Sequence, residues 1–185
     1  IAMHFFGEQY DLHGGGIDLI FPHHEAEIAQ AEAITGKKPY VKHWIHVAFL
    51  IIDGRKMSKS LGNILTIKTF LKQYSPEVLR ILFLQTHYKK EINYTKEAVR
   101  TAEASYDKLK ILLEKLSELK KKASKKYDKG LKISLGKEKK KFLAALDDDF
   151  DSPKALTILF GLIKRVNTLN EEGKLGGKNA EDVLK

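Results

Sequence analysis

The sequence predicts an α/β fold that gives way to an α-helical bundle. Three observations carry this prediction. An extended stretch, Tyr10-Asp11-Leu12-His13, runs into Gly14-Gly15-Gly16, and a helix-forming segment follows. A run of apolar residues from Ile45 to Ile52 ends in an Asp53-Gly54 turn, as a buried strand does. Beyond Tyr94, apolar residues recur every three or four positions, the spacing of helix stripes.

Composition bounds the function. With 185 residues, 43% of them apolar, the chain can build one large domain or two small ones. It has no cysteine, so neither a disulfide framework nor a thiolate metal site can be completed from within it. The net charge of +9 comes from lysine, with arginine only at 55, 80, 100 and 165. Such a balance attracts polyanions such as RNA by counterion release, although composition bias alone also produces lysine-rich surfaces. No leader pattern and no apolar run of bilayer length is present. The reading is a cytoplasmic protein with no membrane partner, and a chain that opens in mid-fold as a piece of a longer one.

Each element has a local reason. The triple glycine leaves room for a ligand to approach the backbone, and Asp18 follows it. Pro22 suits the first turn of a helix that Ala26, Ile28, Ala29, Ala31 and Ala33 continue until Gly36 stops it. On that helix His23 and Glu27, four apart, share a face. Their spacing leaves two readings open: zinc ligands, or polar residues of a first turn, where the helix dipole favours carboxylates. His13-Gly14-Gly15-Gly16 is not a lipase-type oxyanion loop, because the chain has no Gly-x-Ser-x-Gly elbow. Lys42 to Ile52 reads as one strand, apolar on both faces; His43 and His46 near its entrance have two readings, contact with the nucleotide or, the one preferred, structural histidines.

Lys56-Met57-Ser58-Lys59-Ser60 comes next, with Gly62 beyond. Two lysines with hydroxyls between them make a mobile cationic arm that can close over a polyphosphate; the alternative is a solvated loop. Thr66 to Gln73 reads as a short helix. Ser75-Pro76-Glu77 opens another, with a hydroxyl cap and a first-turn proline. Val99, Ala102, Tyr106, Leu109, Leu112, Leu113, Leu116 and Leu119 stripe a long helix. Lys120 to Lys141 then reads as an exposed, partly disordered linker that ends in a helix start. Asp147-Asp148-Asp149 closes a helix, and neighbours on a helix diverge too much to share a cation. Ser152-Pro153 starts the last long helix, and the tail from Glu171 is expected to fray.

Lys56 to Ser60 resembles, in all five letters, the signature loop of class I aminoacyl-tRNA synthetases. Asp11 to Gln30 resembles the second conserved block of one family among them, the cysteinyl-tRNA synthetases, and the likeness runs over nearly the whole chain. The resemblance implies the second half of a Rossmann-like class I nucleotide-binding fold over 1–63. It implies a connecting segment over 64–94 against the inner side of the tRNA's bend. A partial tRNA-contacting helical bundle over 95–185 would follow, with the lysine-rich linker at 120–141.

The implied activity is ATP-dependent conversion of L-cysteine to cysteinyl-adenylate, then transfer to tRNA(Cys). In that scheme Lys56 and Lys59 are catalytic. Gly15, Gly16, Asp18 and Lys59 take ATP with its Mg2+, and His13 lines the cysteine pocket. His23 and Glu27 resemble two of four zinc ligands, the other two being cysteines that this chain lacks. The chain by itself is therefore expected to be inactive and to bind zinc weakly. Three residues depart from the family's pattern: Ala26 replaces an asparagine, and Glu77-Val78 replaces Asp-Ala before Leu79-Arg80. The alternatives are a related ligase that joins cysteine to an amino sugar, and a non-enzymatic RNA-binding helical module.

Overall fold

The computed structural model describes residues 1–58, 60–121 and 126–185. The chain forms two compact units, one of Ile1–Asn63 with Tyr88–Asn93, the other of Ile64–His87 with Tyr94–Lys185. The segment expected to be a separate connector over 64–94 is thus shared between them.

In the first unit, helix α1 (Ala2–Phe6) precedes strand β1 (Tyr10–Gly16). A single 3-10 turn over Ile17–Leu19 and an irregular turn over Ile20–His24 lead into helix α2 (Glu25–Thr35). The helix therefore starts at Glu25 rather than at Pro22. Phe21, held extended at φ −133°, ψ 134°, interrupts any helix before it, as the residue preceding a proline tends to. Gly36 ends α2 in the left-handed conformation at φ 68°, its N–H donating to the Glu32 carbonyl.

Strand β2 (Val41–Val47) runs parallel to β1, pairing His13 with Trp44 and Gly15 with His46. Ala31, Tyr40 and Val41 form the small core here. The single buried strand expected from Lys42 to Ile52 is two strands. Ala48 donates to the Tyr88 carbonyl and Phe49 accepts from Ile92, which redirects the backbone before β3 (Leu50–Ile52). Burial on both faces does not hold either, since Val47 is 44% exposed.

β3 lies between β4 (Arg55–Lys56) and β5 (Ile92–Tyr94). The β3–β4 hairpin turns on Asp53 at φ 47° and Gly54 at φ 73°. Two successive left-handed residues make the turn that matches strand twist, and Asp-Gly is a favoured pair for it.

The second unit is helical: α3 (Ile67–Phe70), α4 (Pro76–Leu84), α5 (Lys96–Lys121), α6 (Lys129–Asp147), α7 (Ser152–Glu171) and α8 (Gly177–Leu184). Proline stands in the first turn of α4 and of α7. Ser75 takes the cap position of α4 without its hydroxyl capping the helix. Phe70, Val78, Ile81, Leu82, Val99 and Ala102 pack one core. A second core joins Leu112 and Leu116 of α5 to Leu131, Ile163, Val166 and Ala180.

Two expectations fail in this unit. The linker over 120–141 is helical from Lys129, where the Asp128 carboxylate caps the start by accepting from Leu131 N–H. Leu131 and Ser134 are buried while the surrounding lysines face out, so the apolar stripe was hidden by charge density. Residues 122–125 of that stretch lie outside the described residues.

The tail does not fray. Leu175 is buried, and Asn179 and Ala180 are fully buried. Asn179 accepts from Asp128 N–H at 2.9 Å and donates to the Asp128 carbonyl at 3.0 Å. A polar residue inside the apolar stripe of α8 concealed its docking.

Candidate active site

The parallel pairing of β1 and β2 decides which side chains meet, because alternate residues of a strand face the same way. On β2, Trp44 and His46 lie two apart with ring planes inclined by only 2°. His13 stacks on Trp44, ring centroids 4.8 Å apart at 17°. The Tyr10 hydroxyl is 2.6 Å from His13 Nδ1. Burial first, then Tyr40 and the Glu27 carboxylate, push the Tyr10 phenol above its ordinary range, so it stays protonated and able to donate.

Glu27, in the first turn of α2, is where the predicted site residues converge. Its Oε2 is buried without a hydrogen-bond partner among the described residues, 3.7 Å from His13 Nδ1. Its Oε1 lies 3.5 Å from His23 Nε2. His23 is the exposed member, with 61% of its side chain in solvent. The spacing of four therefore does bring His23 and Glu27 together, and it adds His13 from the strand. A second histidine joins from the other side: donor atoms of His13, His24 and Glu27 all lie within 4.8 Å of one another.

An orphaned carboxylate oxygen beside imidazole nitrogens suits a borderline cation such as zinc, which takes both donor types. The residues present fit such an ion as a partial nitrogen and oxygen set, since no cysteine is available.

The three glycines differ in what they leave open. A Cβ at Gly14 would meet only the Ile45 carbonyl, at 3.7 Å. One at Gly16 would run into the Asp18 carboxylate, and one at Gly15 into the His24 ring. Asp18 itself is exposed.

The lysine loop leaves the β3–β4 hairpin. Lys56 is exposed, its ammonium 4.8 Å from the centre of the Phe49 ring. Asn63 braces the loop from its far end, accepting from Ser58 N–H at 2.9 Å and donating to the Lys56 carbonyl at 3.2 Å. The Ser58 hydroxyl sits 3.2 Å from that of Ser60 and accepts from Leu61 N–H. Lys59 lies outside the described residues.

Sequence reasoning missed four participants: Tyr10, His24, Trp44 and His46. The alternation Trp44-x-His46 on a strand was the available signal. His43, which faces away and is exposed, forms no part of the group.

Comparison with known proteins gives a consistent picture. Residues 1–104 match the model of the family described as tRNA synthetases class I (C) catalytic domain, and residues 141–185 that of the DALR domain. A cysteine–tRNA ligase of Thermodesulfovibrio yellowstonii is 45% identical over 172 residues, covering 90% of this chain and 35% of the relative. One of Persephonella marina is 41% identical over 189 residues, covering 96% of this chain and 39% of the relative. The chain thus spans little more than a third of these curated relatives.

Among solved structures, methionyl-tRNA synthetase of Mycobacterium tuberculosis in complex with methionyl-adenylate superposes with a TM-score of 0.67 at 22% identity, over 85% of this chain and 33% of that one. The leucyl enzyme of Agrobacterium radiobacter, in a ternary complex with tRNA, gives 0.67 at 17% identity, over 93% and 24%. These two likenesses establish the α/β class I synthetase fold. With more than half of its length matched by the catalytic-domain model, the chain belongs to the class I tRNA synthetases of the cysteine type.

Proposed function

We propose that this chain forms part of the active site of a cysteine–tRNA ligase. The reaction is activation of L-cysteine by ATP to cysteinyl-adenylate, followed by transfer of the acyl group to the terminal adenosine of tRNA(Cys). One observation carries the reading: a single unit holds both a histidine–carboxylate cluster at the glycine end of β1 and an exposed, braced lysine loop. The names of the curated relatives support it.

In this reading Lys56 and Lys59 place positive charge where the ATP phosphates gain negative charge in the transition state, which is stronger stabilisation than the ground state receives. The backbone of Gly15 and Gly16 and the exposed Asp18 carboxylate take the adenosine, Asp18 accepting from ribose hydroxyls. Mg2+ accompanies the ATP. His13 lines the cysteine pocket, its ring fixed by Trp44 and Tyr10. His23 and Glu27 hold half of a zinc site. The chemistry such an ion supplies is preference for a sulfur donor over a hydroxyl, which separates cysteine from serine. Segment 64–94 and the helices of 95–185 contact tRNA, with the exposed lysines of α6 facing the polyanion. The compartment is the cytoplasm, and no helix of the described residues is long and apolar enough to cross a membrane.

The test is Lys59→Ala in the full-length protein. ATP–pyrophosphate exchange should slow by about tenfold or more with a smaller change in the KM for cysteine, because the lost interaction belongs to the transition state. Kinetics equal to the parent's would overturn the reading. The chain alone should show no aminoacylation and weak zinc binding; a tight, stoichiometric zinc titration would count against the half-site.

A further inference from the structure

Among the described residues of the first unit, His24 is a buried polar side chain that has no role in the ATP reading and stands beside, not among, the pair read as zinc ligands, His23 and Glu27. It is 3% exposed, and three elements hold it. From β2, His46 Nε2 lies 2.8 Å from His24 Nδ1, and Trp44 lies against its ring at a centroid distance of 4.8 Å. From β1, His13 stands equally close, at 4.8 Å. Also from β1, Gly15 provides the notch: a Cβ there would sit 2.6 Å from His24 Cε1, nearer than real Cβ atoms come, with Leu19 Cδ1 at 3.1 Å and His24 Nε2 at 3.2 Å also close. The third element is its own turn into α2.

We propose that His24, seated in the Gly15 notch and fixed by its hydrogen bond to His46, is a positioning residue that sets the His13 ring relative to the Glu27 carboxylate. The proposal rests on the site reading above and deepens it. The hydrogen bond fixes the rotation of the His24 ring, and its contact with the stacked His13 and Trp44 rings limits its tilt. His13 packs against both His24 and Trp44, the three ring centroids each 4.8 Å from the other two, with Nδ1 directed at Tyr10 and at the orphaned Glu27 oxygen. Accordingly, the missing side chain of the middle glycine makes room for His24.

Two measurements on the 185-residue chain test this, and neither uses ATP, cysteine or tRNA. The first is a cycle of Gly15→Ala, His24→Ala and the double variant, unfolded in urea and followed by the fluorescence of Trp44, the only tryptophan. Forcing a methyl into a filled notch should reduce the folding equilibrium constant about fivefold to a hundredfold in the parent. In the His24→Ala background the same methyl should cost severalfold less, since the His24 contact is gone and only Leu19 Cδ1, at 3.1 Å, remains close. A Gly15→Ala protein that folds only when His24 is also replaced is the same result in its extreme form. Equal losses in both backgrounds, or failure to fold in both, overturn the proposal.

The second measurement is the histidine ring NMR spectrum of His46→Ala and His46→Gln. The His13 ring signals should shift in His46→Ala and return toward the parent position in His46→Gln, which keeps a hydrogen-bonding group. His13 signals unmoved in both variants would make His24 a core filler and overturn the positioning role. Failure of the ligase reading would instead appear in pyrophosphate exchange with these couplings intact.

Discussion

Asn63 is the sharpest place to perturb the lysine loop without touching a lysine. Its amide accepts from Ser58 N–H at 2.9 Å and donates to the Lys56 carbonyl at 3.2 Å, closing a loop that begins at Lys56. Both bonds are at least partly solvent-exposed, so each contributes roughly 0.5–1 kcal/mol net. Asn63→Ala removes both, a loss of about 1–2 kcal/mol, or roughly fivefold to thirtyfold in the equilibrium between closed and open loop. Asn63→Asp keeps the acceptor for Ser58 but sets a carboxylate oxygen against the Lys56 carbonyl, so its effect should fall between parent and alanine. The assay is amide hydrogen exchange at Ser58, which reports local opening. Exchange should accelerate in the order parent, Asn63→Asp, Asn63→Ala, and the whole-chain urea midpoint should hardly move. Ser58 exchange that is unchanged in Asn63→Ala would show that the loop is held by something else, and the bracing argument would fall.

Three further outcomes follow from the same geometry. Asn179→Ala should destabilise the second unit by about 2 kcal/mol or more, because it leaves the Asp128 N–H and carbonyl without their partners; a urea midpoint equal to the parent's, at unchanged slope, would contradict the docking of α8. The Tyr127 hydroxyl donates to Asp182 Oδ2 at 3.0 Å, and burial, then that carboxylate, raises its pKa above the free phenol's. Its folded value exceeds its unfolded one, so this contribution to stability is complete below about pH 10 and fades as pH rises beyond that. Melting curves at pH 8 and pH 11 should therefore differ less in Tyr127→Phe than in the parent, and identical differences would refute it. Finally, His23→Ala should change stability by less than about 0.5 kcal/mol, since its ring is mostly in solvent; a larger loss in urea unfolding would mean that His23 is packed.

Much of the fold was legible because it rests on local chemistry. The Asp53-Gly54 hairpin turn, the Gly36 stop and the prolines opening α4 and α7 stand where short-range rules put them. The long stripe on α5 was legible for the same reason. Illegibility had two sources. Lysines masked the apolar positions of α6, and one buried asparagine disguised α8 as a frayed tail. The break between β2 and β3 was invisible because it is made by hydrogen bonds from Tyr88 and Ile92, distant in sequence.

The candidate site divides along the same line. What the amino-acid order determined by itself was chemistry at short range: the lysine pentapeptide, the triple glycine, and a histidine and glutamate one turn apart that do face each other at 3.5 Å. Only the tertiary structure decided that His24 meets His46 from 22 positions away and fills the notch at Gly15. It likewise brought the His13 ring to Glu27 from 14 positions upstream. The reason is strand register: a shift of one residue between β1 and β2 would turn the strand side chains of one partner, His13 or His46, to the opposite face and away from His24 and Glu27, and no local pattern records which register the packed chain adopts.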